Sequence, residues 1–202
     1  EISGLATEEI AQLSSVRSSG EAQITKIQSE RTLARTRLLW LGNPRNGKMS
    51  DYTYGVQAIA PVIGNMEDIA RFDLVMSVHS SDVAATEINK QHLDKSHQQY
   101  TPGLCNELVM WAWSRKPEQI VWEKGVEKVV FKEAIDLGKK YVDYPPIIQS
   151  ANVRMKIARI AVAMAARTFN SPNCIDLLIE ERHVVDAVRF MDMMYSMESF
   201  GY

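Results

Sequence analysis

The chain has 202 residues, of which 46% are hydrophobic and 24% are charged, which suits one compact soluble domain or two small ones. Its formal net charge of -2 excludes a global basic field, so any contact with nucleic acid must come from a local basic patch. The sequence has no apolar run of membrane-spanning length and no signal peptide, and we interpret Cys105 and Cys174, which lack metal-ligand spacing, as buried reduced thiols.

The first 80 residues mix helix and strand signals. Apolar residues at helical spacing predict a helix that Gly20 ends. A later apolar run, Leu38 to Leu41, is typical of a buried parallel strand. The predicted elements are a helix at residues 7–18, strands at 23–27 and 31–41, a short helix at 55–63 and a core strand at 72–78.

After about residue 81 the pattern predicts only helices. A polar stretch at 81–102 is predicted to be a linker. The predicted helices cover residues 104–114, 122–142, 147–169 and 181–196. The fold class is therefore α/β plus all-α, with a small α/β domain at 1–80 and a helical bundle at 103–202.

Asn43 follows the predicted strand that ends in the apolar run. Ligands bind at the carboxyl ends of parallel strands, and an amide there can hold a water or a phosphate oxygen. The alternative for a lone Asn-Pro pair is a residue that forms a turn or caps a helix, and from the residues alone we favour this alternative.

Three arginines are candidates for contacting a phosphate through their guanidinium groups. Arg71 directly precedes the predicted strand at 72–78, where a rigid backbone could hold it toward a neighbouring subunit. Arg154 and Arg159 lie on the predicted helix at 147–169, and a guanidinium there can clamp a phosphate. The alternatives are a surface salt bridge for Arg71 and a solvated helix face for the other two.

The order of these features resembles the second half of the AAA+ module of the minichromosome maintenance (MCM) family of DNA helicases. The matches are Ile24-Thr25-Lys26 to its pre-sensor hairpin, Asn43-Pro44 to its sensor-1 loop, Ala70-Arg71-Phe72-Asp73 to its arginine-finger sequence and Ala158-Arg159-Ile160-Ala161 to its sensor-2 helix. Each motif is short, but their order and spacing extend over most of residues 1–195. The resemblance implies a partial AAA+ core followed by a helical lid.

The resemblance also implies roles in ATP hydrolysis. Glu1 would be the Walker B glutamate and general base, Asn43 would hold water or the γ-phosphate, and Arg71 would enter the neighbouring subunit's site. Arg159, and less securely Arg154, would contact the nucleotide from the lid. Because a finger acts in trans, these roles imply a homo-oligomeric ring, a hexamer, that binds ATP with Mg²⁺.

The 202 residues contain no Gly-x-x-x-x-Gly-Lys-Ser/Thr sequence, the motif of a phosphate-binding P-loop. The resemblance therefore implies that the P-loop lobe lies outside them, and we expect these residues alone not to hydrolyse ATP. The four histidines lack zinc-ligand spacing, so we expect no zinc site.

The predicted hairpin is the basis for the hypothesis that the chain binds DNA. Lys26 and Arg31 flank its tip and would contact the phosphate backbone in the channel of a ring. The alternative is an ordinary hairpin whose charges keep it soluble, and Glu30 at the tip favours that alternative.

Three functions remain open. The first is an MCM-type helicase subunit that couples ATP hydrolysis to DNA movement. The second is a MoxR-like AAA+ ATPase that remodels proteins, and the third is a non-catalytic ATPase remnant that serves as an interaction module. We expect a cytoplasmic protein, or a nuclear one in a eukaryote, with no membrane partner.

Overall fold

The computed structural model describes residues 4–25, 29–34, 36–44, 47–79, 82–90, 100–141 and 144–202. The chain forms two compact units. The first contains the described residues of Glu1–Asp82, Val142–Ile147 and Ser196–Tyr202, and the second contains those of Val83–Tyr141 and Ile148–Tyr195. Two segments from the region predicted to be a helical bundle, the described residues of Val142–Ile147 and Ser196–Tyr202, thus belong to the first unit.

The first unit begins with two short helices and a hairpin. These elements are α1 (Thr7–Gln12), α2 (Ser14–Ser19), β1 (Glu21–Thr25) and β2 (Ser29–Leu33). The strands are antiparallel, with Glu21 opposite Leu33, which confirms a hairpin. Both strands begin two residues earlier than predicted, so Glu30 and Arg31 lie within β2, opposite Ile24 and Gln23, and not at the tip. The predicted helix at 7–18 is confirmed as two consecutive helices, and Gly20 ends the second with a φ of 70°, in the left-handed region that favours glycine.

Short helical segments and the C-terminal segment complete the first unit. They comprise 3-10 turns at Met49–Asp51 and Gly55–Ala58, helix α3 (Ile59–Ile63) and helix α4 (Met66–Ala70). The predicted helix at 55–63 is confirmed, whereas α4 was not predicted. The backbone N–H of Gly55 donates to Ser199 O at 2.9 Å, so the C-terminal segment is fixed to this unit by its backbone.

The predicted core strand at 72–78 is wrong for the described residues, and so is the predicted extension of the second hairpin strand to residue 41. The second hairpin strand stops at Leu33, and neither 36–44 nor 72–79 is in a strand. Leu39 and Met76 are 86% and 67% exposed. A parallel strand exists only where neighbouring strands take up its backbone hydrogen bonds, and the described residues supply no such neighbours to these segments. The strands to which the resemblance assigned the sensor-1 and arginine-finger roles are therefore not formed in the described residues.

The second unit is mainly helical. Its elements are α5 (Ala85–Ile88), α6 (Pro102–Trp113), a 3-10 turn at Pro117–Gln119, β3 (Ile120–Trp122), α7 (Val126–Lys140), α8 (Val153–Arg167), β4 (Leu177–Ile179) and α9 (Glu181–Tyr195). The four predicted long helices are confirmed as α6, α7, α8 and α9, although α7 begins at Val126 and α8 at Val153, four and six residues later than predicted. The short parallel pair of β3 and β4 was not predicted, and it aligns Ile120 with Leu177.

The core of the second unit lies among α7, α8 and α9. On α7 the buried residues recur every three or four positions, which places them on one face of the helix. On α8 and α9 the fully buried residues include Ile157, Ala161, Val184 and Met191. Cys105 and Cys174 are both exposed, so the prediction that they are buried is wrong. Within the described residues, no helix is both long and apolar enough to cross a bilayer.

Candidate functional site

Arg71 is the predicted site residue whose surroundings the structure defines best. It is the C-cap of α4, with φ -80° and ψ -13°. Its Nη1 donates to Asp68 Oδ1 at 2.9 Å, while its Nη2 lies 3.9 Å from an oxygen of Glu67. The side chain is 32% exposed. Arg71 is therefore fixed at one nitrogen and still reaches the surface of its unit.

Asp68, the partner of Arg71, is a buried carboxylate with only 2% exposure. Oδ1 accepts hydrogen bonds from Arg71 and from Arg17, whose Nη2 lies 2.6 Å away. Within the described residues, Oδ2 is buried without a hydrogen-bond partner. A buried carboxylate is costly unless it is paired, so the two guanidinium groups compensate for the burial of Asp68.

Arg17 lies on α2, and its side chain is only 5% exposed. Its Nη2 also donates to the carbonyl of Ile10 at 3.1 Å, and its Nε donates to that of Leu13 at 3.4 Å. The guanidinium carbon lies 5.0 Å from the ring centroid of Trp40 and 5.8 Å from that of Phe72. Such cation-ring contacts are strongest when water is excluded. Arg17 is therefore held by backbone carbonyls, a carboxylate and two aromatic rings.

The two rings bring the segment that contains Arg71 close to the segment that contains Asn43. Trp40 and Phe72 meet edge to face, with their centroids 5.2 Å apart. Phe72 directly follows Arg71, and Trp40 lies three residues before Asn43. Arg17, Trp40, Asp68, Arg71 and Phe72 form what we call the Arg17 cluster. The structure thus brings together two segments that the sequence analysis selected separately.

Asn43 itself lies in the non-strand segment 36–44 and is exposed. It therefore neither follows a core strand nor is buried in a packed interior. An exposed amide remains available to a ligand, but no strand fixes its position in the described residues.

The predicted DNA contacts are only partly described. Arg31 lies on β2 with a side chain that is 67% exposed, and its Nε donates to Glu21 Oε2 across the hairpin at 2.7 Å. Lys26 lies outside the described residues, as does Glu1. The hairpin is therefore present, and Arg31 is partly neutralised by a cross-strand carboxylate.

The two candidate lid arginines lie on different sides of α8. Five positions in an α-helix correspond to about 140° around its axis, so Arg154 and Arg159 point in different directions. The guanidinium of Arg154 lies 5.5 Å from the ring centroid of Phe131 on α7. Arg154 also borders a groove whose lining includes Lys139 and Ser150. One ligand cannot readily be contacted by both arginines, and Arg154 already packs on a ring.

Sequence analysis missed Arg17 and Asp68. The spacing of Asp68 and Arg71, three positions on a helix, is a recognisable signal of a local ion pair. Arg17 gives no such signal, because 51 positions separate it from Asp68 and the patterns of a single sequence do not reveal distant contacts.

Among the described residues, no group of three or more His, Cys, Asp or Glu side chains could hold a metal ion. Mg²⁺ at nucleotide sites is held by one or two carboxylates together with the phosphates, and the structure assigns none of the described residues to that role. No protein-family model matches this chain, and no curated protein matches it either.

Proposed function

We propose that this chain forms the sensor and lid portion of an MCM-type AAA+ ATPase that acts on DNA. In this function Arg71 is the arginine finger, which completes the ATP site of a neighbouring subunit. The order of the four motifs in the sequence supports the proposal. Two structural features are consistent with it: a hairpin precedes Asn43, and a helical unit follows Arg71.

The observation that carries the proposal is the setting of Arg71. A finger must keep its guanidinium accessible while its backbone is held, because its effect depends on placing positive charge where the phosphoryl transition state develops negative charge. Arg71 ends a helix, is anchored through Nη1 by Asp68 and remains 32% exposed. An ordinary surface ion pair lacks the buried anchoring carboxylate.

The remaining roles follow from the same proposal. Asn43 positions the attacking water or the γ-phosphate, and Glu1 acts as general base toward that water. Arg159 contacts the nucleotide from the lid. Arg154 is the weaker candidate because its guanidinium already packs on Phe131. Proximity and electrostatic stabilisation supply the rate enhancement, since phosphoryl transfer needs little covalent chemistry from the protein.

The proposal requires that the segments 36–44 and 72–79 pair as strands when a P-loop lobe is joined to this portion. In 72–79 the exposed apolar residues Leu74, Met76 and Val78 alternate with half-buried positions, the spacing of a strand that has one face uncovered. The pattern supports the proposal because, in a strand, this alternation would place the three apolar side chains on one face, which a neighbouring layer could cover.

The test uses the protein translated from the whole reading frame that contains these residues. Arg71→Ala subunits are mixed with wild-type subunits at increasing ratios, and ATP turnover per wild-type subunit is measured. Turnover should fall with the share of the variant, because each variant subunit deprives a neighbour of its finger. A loss of about 10³–10⁵ in turnover is expected for the pure variant, as for fingers in GTPases.

The matched control is Arg182→Ala, which removes an exposed arginine paired with Glu180 in the second unit. Its subunits should leave turnover per wild-type subunit unchanged at every mixing ratio. If Arg71→Ala subunits behave like the control, Arg71 is not a trans-acting finger and the proposed function fails.

A further inference from the structure

We infer that Asp68 and Arg17 are positioning residues for Arg71, with Asp68 holding the finger and Arg17 holding Asp68. This inference rests on the proposed function of Arg71. It goes beyond that function by assigning the fixed geometry and the net charge of the finger to two residues that contact no nucleotide.

The hydrogen bonds give the first argument. A free arginine side chain has about 2 kcal/mol of rotamer entropy, which is lost when the side chain is ordered against a phosphate. A finger that is already fixed loses less entropy and therefore stabilises the transition state more. Asp68 Oδ1 binds Nη1 of Arg71 at 2.9 Å. Within the described residues, Nη2 of Arg71 has only the distant Glu67 oxygen at 3.9 Å. One edge of the guanidinium is thus anchored, and the other edge can receive a phosphate oxygen.

The charges give the second argument. A single carboxylate paired with a single guanidinium has no net charge, and such a pair attracts a phosphate poorly. Arg17 adds a second cation to the same oxygen, so the buried Asp68 carboxylate does not by itself neutralise both guanidinium groups. Glu67 lies 3.9 Å from Nη2 of Arg71, but it is 80% exposed, and solvent weakens its effect on that charge. Arg17 is almost fully buried, with a side chain only 5% exposed, whereas Arg71 is exposed. The surplus positive charge can therefore be presented to a ligand only through Arg71.

The aromatic contacts give the third argument. Trp40 and Phe72 lie against the Arg17 guanidinium at 5.0 and 5.8 Å, and Phe72 is the next residue after Arg71. Displacement of Arg17 would therefore disturb both the carboxylate that anchors the finger and the backbone that carries it. Arg17 acts on the finger through two routes.

The experiment is a double-mutant cycle on ATP turnover, again in the protein from the whole reading frame. Asp68→Asn keeps the shape of the side chain and removes its charge. In the wild-type background it should lower kcat by about 10- to 100-fold with little change in KM, the size of effect expected from a misplaced catalytic group. In the Arg71→Ala background it should lower kcat no further, because the residue through which it acts is gone.

The cycle separates the two ways in which the inference could fail. An equal drop of kcat in both backgrounds means that Asp68 acts through general stability and overturns the positioning role alone. No drop in either background, with Arg71→Ala itself effective, also overturns it alone. If Arg71→Ala leaves ATP turnover unchanged, the proposed function and this inference are both wrong.

A second variant covers the possibility that Asp68→Asn does not fold. Arg17→Lys keeps the positive charge beside Asp68 but loses the planar group that contacts the rings and the backbone carbonyls. It should lower kcat only when Arg71 is present, and an equal effect without Arg71 contradicts the inference. Glu87→Gln is the matched control, because Glu87 is 62% exposed and its ion-pair partner is Lys90, which is not part of the Arg17 cluster. Its kcat should stay within about two-fold of wild type, as for an exposed ion pair.

Discussion

Arg17 Nη2 lies 2.6 Å from Asp68 Oδ1, although 51 positions separate the two residues in the chain. Both side chains are almost fully buried, with 5% and 2% exposure. Removal of one partner from a buried ion pair leaves the other charge without compensation, which is far more costly than the loss of a surface pair. The Arg17–Asp68 pair therefore has a consequence for stability that can be measured independently of any activity.

We predict that Arg17→Ala lowers the free energy of unfolding by about 1.5–3 kcal/mol, because Asp68 then loses its closest cation while it keeps the hydrogen bond from Arg71. Urea unfolding followed by circular dichroism measures the change. The control Glu67→Gln should change the same quantity by no more than about 0.5 kcal/mol, since Glu67 is 80% exposed. Equal, small effects of the two variants would show that the Arg17–Asp68 pair is not buried in solution.

A second prediction concerns the pH dependence of stability. Burial, together with the nearby charge of Arg182, lowers the pKa of His183 below its ordinary value of 6.5, against the opposing charges of Glu180 and Asp186. Its Nδ1 accepts a hydrogen bond from the backbone N–H of Glu180, the residue before α9, at 3.0 Å. This hydrogen bond requires that Nδ1 carry no proton. As the pH falls below 6.5, the unfolded chain takes up a proton that the folded chain does not, and the free energy of unfolding falls.

The measurement compares urea unfolding of wild type and His183→Gln between pH 7.5 and 5.5. Glutamine keeps an acceptor for the Glu180 N–H but cannot take up the proton, so the variant should lose the part of the pH dependence that comes from this residue. Identical pH profiles for the two proteins would contradict the prediction.

A third prediction concerns the contact between the end of α7 and α9. Burial raises the pKa of Asp192, but hydrogen bonds from Lys140 and Tyr141 outweigh this effect and the pKa is lowered overall. The Tyr141 hydroxyl donates to Asp192 Oδ1 at 2.7 Å. Tyr141→Phe should therefore lower the free energy of unfolding by about 1.5–3 kcal/mol, the usual range for a hydrogen bond to a charged group.

The control for that variant is Tyr100→Phe, which alters a tyrosine that is 71% exposed. Chemical denaturation of both variants gives the comparison. A cost for Tyr141→Phe no larger than that for Tyr100→Phe would exclude a stabilising contribution from the hydroxyl contact with Asp192.

A fourth prediction concerns the segments 36–44 and 72–79, which form no strand in the described residues. In the isolated chain the backbone amides of 38–43 and those of Leu74, Met76, Ser77 and Val78 should exchange with deuterium rapidly, because these residues belong to no strand in the described part of the chain. In the protein from the whole reading frame, the same amides should be protected by pairing with a P-loop lobe. Hydrogen exchange read by mass spectrometry distinguishes the two states, and α7 serves as the internal reference. Persistently fast exchange in both proteins would contradict the proposed completion of the sheet.

A fifth prediction concerns the hairpin. If Lys26 contacts the DNA backbone, Lys26→Ala should weaken DNA binding of the protein from the whole reading frame about equally for all sequences. It should also reduce the slope of log K against log salt by about 1. Fluorescence anisotropy with two unrelated oligonucleotides measures both quantities. Lys116→Ala, in the second unit, is the control, and a salt slope that is the same for the two variants would remove Lys26 from the DNA contact.

Local patterns in the sequence determined much of the secondary structure. The periodicity of apolar residues was sufficient for α6, α7, α8 and α9, and for the helices and the hairpin at the start of the chain, because these elements depend on contacts between residues near in sequence. The same patterns selected Arg71 and Asn43 as candidate residues, in an order that resembles an AAA+ module.

Only the tertiary structure decided the rest. An apolar run such as Leu38 to Leu41 has the composition of a strand, but a strand needs hydrogen-bonding neighbours, and the described residues provide none. The pairing of Arg17 with Asp68 was equally hidden, since a contact across 51 positions depends on how α2 and α4 pack and not on any local spacing. The chain's own residues specified its helices and its hairpin, whereas the anchoring of Arg71 and the state of the two apolar segments depended on what lies beside them in space.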